Sequence, residues 1–136
     1  MTPHDAEPAA GLSGELGYPV DCDVMRARIA RIAARPDHAV FVACRGPFVV
    51  GWIHVAAVEH LQSEPRAEIG GLVVTAEARS SGVGALLVTR AEEWAREHGL
   101  GGVIVRSQVM REAAHRFYLR EGFERTKTSA VFSKML

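Results

Sequence analysis

The stretch that decides the fold reads Leu72-Val73-Val74-Thr75-Ala76-Glu77-Ala78-Arg79-Ser80-Ser81-Gly82-Val83-Gly84-Ala85-Leu86-Leu87. Its first residues are apolar and β-prone, as in a buried strand. A short loop follows and opens directly into a helix. Such a loop displays unpaired backbone N–H groups at the positive end of the helix dipole, an anion site suited to phosphate. Gly82 and Gly84 remove side chains that would hold a phosphate off the backbone. Ser80 or Ser81 can cap the helix, and Arg79 adds a fixed positive charge.

Three phosphate loops compete for this pattern. A Walker A loop needs Gly-Lys-Ser/Thr, which is absent. A dinucleotide loop needs GxGxxG, but Leu87 stands three residues after Gly84. The third, Arg-x-x-Gly-x-Gly, holds the pyrophosphate of coenzyme A, and Arg79 to Gly84 matches it in full.

Working outward, Glu68–Thr75 is the strand that feeds the loop. It is apolar on both faces but for Glu68, and Gly70-Gly71 inside it signals a bulge or a close backbone approach. Upstream, His38–Cys44 and Phe48–Val58 flank the turn Arg45-Gly46-Pro47 and read as an antiparallel hairpin. Leu61–Arg66 reads as a polar connection. Asp5–Leu16 is a short helix. A second helix, capped by Asp21 or Asp23, runs to about Ala34 with Met25, Ile29, Ile32 and Ala33 in one apolar stripe. Downstream, a helix from Gly82 to His98 buries Val83, Leu86, Leu87, Ala91, Trp94 and Ala95, and Gly99 ends it. Val103–Val105 begins a short buried strand. Arg111–Glu121 is a helix ended by Gly122, and Phe123–Leu136 reads as one or two closing strands. Strand–helix–strand implies a parallel crossover, whereas the earlier hairpin is antiparallel. The fold class is therefore α+β with a mixed sheet.

The chain has 136 residues, 48% hydrophobic and 24% charged, which suits one globular domain spanning 1–136. Lys+Arg and Asp+Glu are each 16, so nothing in the balance argues for nucleic acid or an anionic membrane as partner. Cys22 and Cys44 lack metal-ligand spacing and read as free thiols of a reducing compartment, with no metal site. The N-terminus has neither a basic n-region nor an apolar h-region, and no apolar run reaches membrane length, so a cytoplasmic protein is expected.

A second pattern lies downstream: Ala114-His115-Arg116-Phe117-Tyr118-Leu119-Arg120-Glu121-Gly122-Phe123, or Ala-x-x-Phe-Tyr-x-x-x-Gly-Phe. With both motifs in this order, the chain resembles the GNAT superfamily of acetyl-CoA-dependent N-acetyltransferases over most of Val49–Leu136. Lys127-Thr128 and Phe132-Ser133-Lys134 further resemble the aminoglycoside 6′-N-acetyltransferase-like branch. Ala76 stands where the family often has Pro, Ser80 where it often has Gly, and Arg111 where it often has a coenzyme-contacting Asn. Most members begin with a strand; here a helix starts by Asp5, so that first strand is expected to be missing.

The resemblance implies that Glu68–Thr75 and Val103–Ser107 splay apart and that pantetheine lies in the gap, pairing with the main chain of Leu72, Val73 and Val74 like an added strand. Arg79, Ser80, Ser81, Gly82, Val83, Gly84 and Ala85 would hold the pyrophosphate. Phe117, about 100° round its helix from Tyr118, points toward the core and completes the cofactor-lining set. The reaction is attack of a neutral amine on the thioester. A lysine-like amine with a pKa of about 10.4 is unprotonated in roughly one molecule in ~2,500 at pH 7, so a base is needed. Glu68, the only acid inside the central strand, is the expected base, with His54 second. Tyr118 sits where the family places the acid that protonates the leaving thiolate. The expected acceptor is a primary amine of a small molecule. A non-catalytic acyl-CoA-binding module and a protein N-acetyltransferase are the alternatives. Relatives are often dimers, which makes a homodimer the implied assembly.

Overall fold

The computed structural model describes residues 1–136. It contains four α-helices, α1 (Ala6–Leu16), α2 (Cys22–Ala33), α3 (Val83–Glu97) and α4 (Glu112–Arg120). One sheet has the order β1-β2-β3-β4, built from β1 (His38–Arg45), β2 (Phe48–His60), β3 (Ser63–Val74) and β4 (Val103–Val105). The first two ladders are antiparallel and β3–β4 is parallel, as the α+β reading requires. The chain divides into two compact units, Met1–Arg106 and Ser107–Leu136. No helix is long and apolar enough to cross a membrane.

In the first unit the sheet has helices on both faces. Opposed residues of an antiparallel pair share a face. Trp52 opposes Val73 and Ala56 opposes both His38 and Glu68, so these residues and His54 lie on one side. There α1 and α2 close over Ala6, Ala9 and Ile29, with Met25 and Trp52 packed against them. The Trp52 indole N–H donates to Ala9 O at 3.3 Å. Gly51, Ile53 and Val55 face the other way, toward α3, where Leu87, Val88, Ala91, Trp94 and Ala95 are buried. Gly51 is forced to be small: a Cβ there would stand 2.9 Å from Val73 O.

Three register shifts interrupt this regularity, one of them at the far end of β2–β3, where Val58 opposes Arg66 but His60 opposes Ser63. Ala43 opposes Gly51 but Cys44 opposes Val49, leaving Val50 as an extra residue in β2. His54 opposes Gly71 but Val55 opposes Ile69, so Gly70 is an extra residue in β3. The double glycine thus marks a bulge, as its sequence suggests.

Several boundaries differ from the sequence reading. Ser63–Arg66 is not a connection but the start of β3; its polar residues extend the strand beyond the core, where burial imposes no pattern. Leu86 is 70% exposed, and Val88 takes its place in the core. Ala33 is exposed at the end of α2. A 3-10 turn leads into α1 without a preceding strand. β1 stands at the sheet edge, and the Met1 ammonium donates to Val40 O at 3.0 Å. Cys22 and Cys44 are free thiols, the first half-buried and the second exposed.

The second unit contains α4, ended by Gly122 at φ 92°. The closing strands expected across Phe123–Leu136 do not form. Val131, Phe132, Met135 and Leu136 are exposed. Alternating apolar residues favour extended backbone, but without a partner edge there is no ladder to make a strand.

Candidate active site

The loop after β3 turns at the expected glycine, but neither Ser80 nor Ser81 caps the helix: Gly82 is the N-cap without a side-chain bond, because the Ser81 hydroxyl is turned back to Ala78 O. A 3-10 turn over Ala76–Ala78 precedes Arg79, Ser80 at φ 62° and Gly82, the N-cap of α3, at φ 86°. These left-handed residues turn the chain sharply enough to align successive amides. Beyond Arg79, the first amide to find a main-chain acceptor is that of Leu86, which donates to Gly82 O at 3.1 Å. The amides of residues 80–85 are left over at the helix N-terminus, as a phosphate site needs. A Cβ on Gly82 would meet nothing within 4 Å; the space above the loop is open. Arg79 Nε donates to Val74 O at 3.1 Å, which holds the guanidinium beside the loop. Val83 is buried, so of this residue only the amide serves the loop.

β3 connects that loop to a parting of strands. Its ladder with β4 has three pairs and ends at Ile69 and Val105. Beyond Ile69, residues 70–74 keep β2 on one side and lose β4 on the other. Leu72, Val73 and Val74 therefore have a strand edge free to pair with an extended ligand. These features fit coenzyme A: an edge for pantetheine and an amide-lined helix start for its pyrophosphate, both on one continuous segment.

The polar side chains near the parting lie on the α1 face. Glu68 Oε1 accepts from Arg106 Nε at 2.9 Å, with the Glu68 side chain 25% exposed. Its second oxygen carries no protein partner. His54 Nε2 and His38 Nδ1 are 2.9 Å apart, with the rings stacked at 5.1 Å. His54 Nδ1 lies 3.2 Å from where a Gly70 Cβ would be, so the bulge glycine makes room for the imidazole.

Burial, aided by the charge of His38, lowers the pKa of His54. The unfolded chain therefore binds this proton more tightly than the folded one. The contribution of His54 to stability is intact above the ordinary imidazole value and is lost as pH falls through it toward the depressed folded value. His54→Gln is expected to flatten the decline in melting temperature between about pH 7 and pH 5. An unchanged slope in a thermal-melt series would assign that decline to other groups.

In the second unit Tyr118 and Phe117 are half-buried on α4, so Phe117 is not the fully buried core residue its helix phase suggests. The Tyr118 ring meets Phe117 and Phe123 edge-on, at 5.3 and 5.5 Å. Burial raises its pKa, opposed by the Arg111 charge, so the phenol stays protonated. His115 Nε2 lies 2.9 Å from Gln108 O. Ser107 Oγ, just past β4, is buried without a partner.

Three residues near these groups escape the sequence reading. His38 and Arg106 become visible only once the strand registers are known. Arg45 sits in what reads as a plain turn, yet its Nη2 donates to Ser81 Oγ at 3.1 Å. Its position beside Gly46-Pro47, at the hairpin end next to the loop, is the one signal available in the sequence.

The sequence profile of the acetyltransferase (GNAT) family matches residues 10–123. The chain belongs to this family, whose members transfer acetyl groups from acetyl-CoA. It is 50% identical over 67 residues to an uncharacterised N-acetyltransferase of Bacillus subtilis, a stretch that makes up 48% of this chain and 46% of that protein. It is 34% identical over 116 residues to the aminoalkylphosphonate N-acetyltransferase of Salmonella typhimurium, covering 85% of this chain and 73% of that one. Among solved structures, the aminoglycoside N-acetyltransferase AAC(6')-Iy in complex with CoA superposes with a TM-score of 0.88 at 20% identity, covering 100% of this chain and 92% of its own. That last likeness establishes the fold.

Proposed function

We propose that the protein transfers an acetyl group from acetyl-CoA to a primary amine of a small molecule, by direct attack in a ternary complex. The observation that carries this reading is the single segment that leaves the β4 ladder at Ile69 and ends in the unpaired amides of residues 80–85. The aminoalkylphosphonate and aminoglycoside N-acetyltransferases among the relatives favour a small amine over protein acceptors. Both units of the chain serve one catalytic domain in this proposal.

Acetyl-CoA supplies the acetyl group as a thioester. Glu68 takes the proton from the acceptor amine, directly or through water, with its free oxygen; Arg106 fixes the other oxygen and so orients the carboxylate. Leu72, Val73 and Val74 align the pantetheine by main-chain bonds. Arg79 and the 80–85 amides bind phosphate, with Phe117 against the cofactor. Tyr118 donates its proton to the departing sulfur.

Release of free thiol, followed across a panel of amines that includes aminoalkylphosphonates and aminoglycosides, tests the reaction. Turnover with none, despite tight CoA binding, would leave a binding module. Glu68→Gln is expected to lower kcat about a hundredfold while leaving CoA affinity near wild type. A wild-type kcat in this variant would remove Glu68 from proton transfer.

A further inference from the structure

We infer that Arg45 is a phosphate ligand for coenzyme A, contributed by the β1–β2 hairpin and absent from the Arg-x-x-Gly-x-Gly motif. This rests on the reading of residues 79–85 as the phosphate loop. The Arg45 guanidinium contacts that loop through Ser81 Oγ at 3.1 Å. The Ser81 hydroxyl spends its single proton on Ala78 O, so it can only accept from Arg45. The hydroxyl is thereby held between two partners, and it holds the guanidinium in turn.

What the contact leaves unsatisfied points to a ligand. Arg45 pairs with no carboxylate. Two acids are associated with the loop segment: Glu77 is exposed within it, and Glu15 accepts from the Ala76 amide at 3.2 Å. Neither neutralises Arg45. A guanidinium offers five donors in a planar fork suited to phosphate oxygens; a neutral hydroxyl engages one. The charge is held at Ser81, within the run of unpaired amides, where an anion would be favoured.

The hairpin is also held in place for this role. Val50, the extra residue of β2, gives its carbonyl to the Thr75 amide at 2.8 Å, where β3 passes into the loop. Gly51 packs so closely on Val73 that its missing Cβ is required. A bulge raises local twist near a strand end; Arg45, paired with Phe48 just beyond this one, reaches Ser81 from the hairpin end.

Coenzyme A has two phosphate groups to offer, the pyrophosphate and the 3′-phosphate. Calorimetry on the intact protein with CoA and with dephospho-CoA, which lacks the 3′-phosphate, separates them. Arg45→Gln is expected to weaken CoA binding about tenfold or more and to make the remaining affinity less sensitive to salt. A matching loss for dephospho-CoA puts the guanidinium on the pyrophosphate; a loss confined to CoA puts it on the 3′-phosphate. Arg45→Lys, which keeps the charge but not the fork, should fall between. Unchanged CoA affinity in Arg45→Gln, or a loss with wild-type salt dependence, overturns the assignment. If Arg79→Gln and Gly82→Val still lose binding in that case, the loop reading stands and only Arg45 falls. If those variants also bind normally, the loop reading falls with it.

Discussion

Gly82→Val abolishes measurable coenzyme A binding while leaving a folded protein: this is the largest effect the site predicts. Gly82 caps α3 at φ 86° and ψ 0°. A β-branched residue in this left-handed region costs about 1–3 kcal/mol, or else the turn rearranges. A rearranged turn no longer aligns the amides of residues 80–85. If the turn holds instead, the valine side chain fills the open space above the loop and blocks a phosphate from the amides. Either route would remove the several charge-assisted hydrogen bonds expected there, of about 1.5–3 kcal/mol each, a loss of roughly a hundredfold or more in affinity. Calorimetry reads the affinity, and circular dichroism checks the fold. Wild-type affinity in a folded variant would remove phosphate from this loop.

Tyr118→Phe is expected to lower kcat about a hundredfold or more with little change in CoA affinity. The substitution deletes one hydroxyl and keeps the ring that packs edge-on against Phe117 and Phe123. A free thiol has a pKa of about 8.5, below that of tyrosine, so in water the phenol would be a weak donor to a thiolate. Burial raises Tyr118 from its ordinary 10.0, which keeps the phenol protonated and ready to donate; a thiolate expelled into a similarly buried setting would be raised in step, so it would hold the proton more tightly than in water. Because the folded pKa is raised, the acid form persists to higher pH, and loss of rate from tyrosine ionisation belongs above pH 10.0 rather than below it. Single-turnover kinetics with a true acceptor supply the test; an unchanged chemical step would exclude Tyr118 as the acid.

Legibility in the sequence follows how local each constraint is. The phosphate loop is readable because its requirements, glycines at fixed spacing after a buried strand, are set by a few consecutive residues. The bulge at Gly70 is readable for the same reason. The start of β3 is not. Ser63 to Arg66 are polar and include Pro65, which normally argues against a strand, yet this end lies before the β4 ladder begins at Ala67, where one side of the strand needs no donor. The tail fails in the opposite sense: residues 131–136 have strand-like character and no partner. The pairings His38–His54 and Glu68–Arg106 join residues 16 and 38 positions apart, and the first depends on the Val50 bulge that lies between it and the turn. Missing that bulge would slip the β1–β2 register by one residue and put His38 on the wrong face.

The contact between His38 and His54 has one further consequence. When both rings are neutral, a single hydrogen occupies the space between His38 Nδ1 and His54 Nε2. If it belongs to His38, the other nitrogen of His54 carries its own hydrogen and presents a donor toward the Gly70 bulge. If it belongs to His54, that same nitrogen presents a lone pair. A proton taken up at His38 Nε2, on the edge strand, and one released from His54 Nδ1 thus invert the polarity shown at the parting of β3 and β4, with no change in net charge and no movement of the backbone.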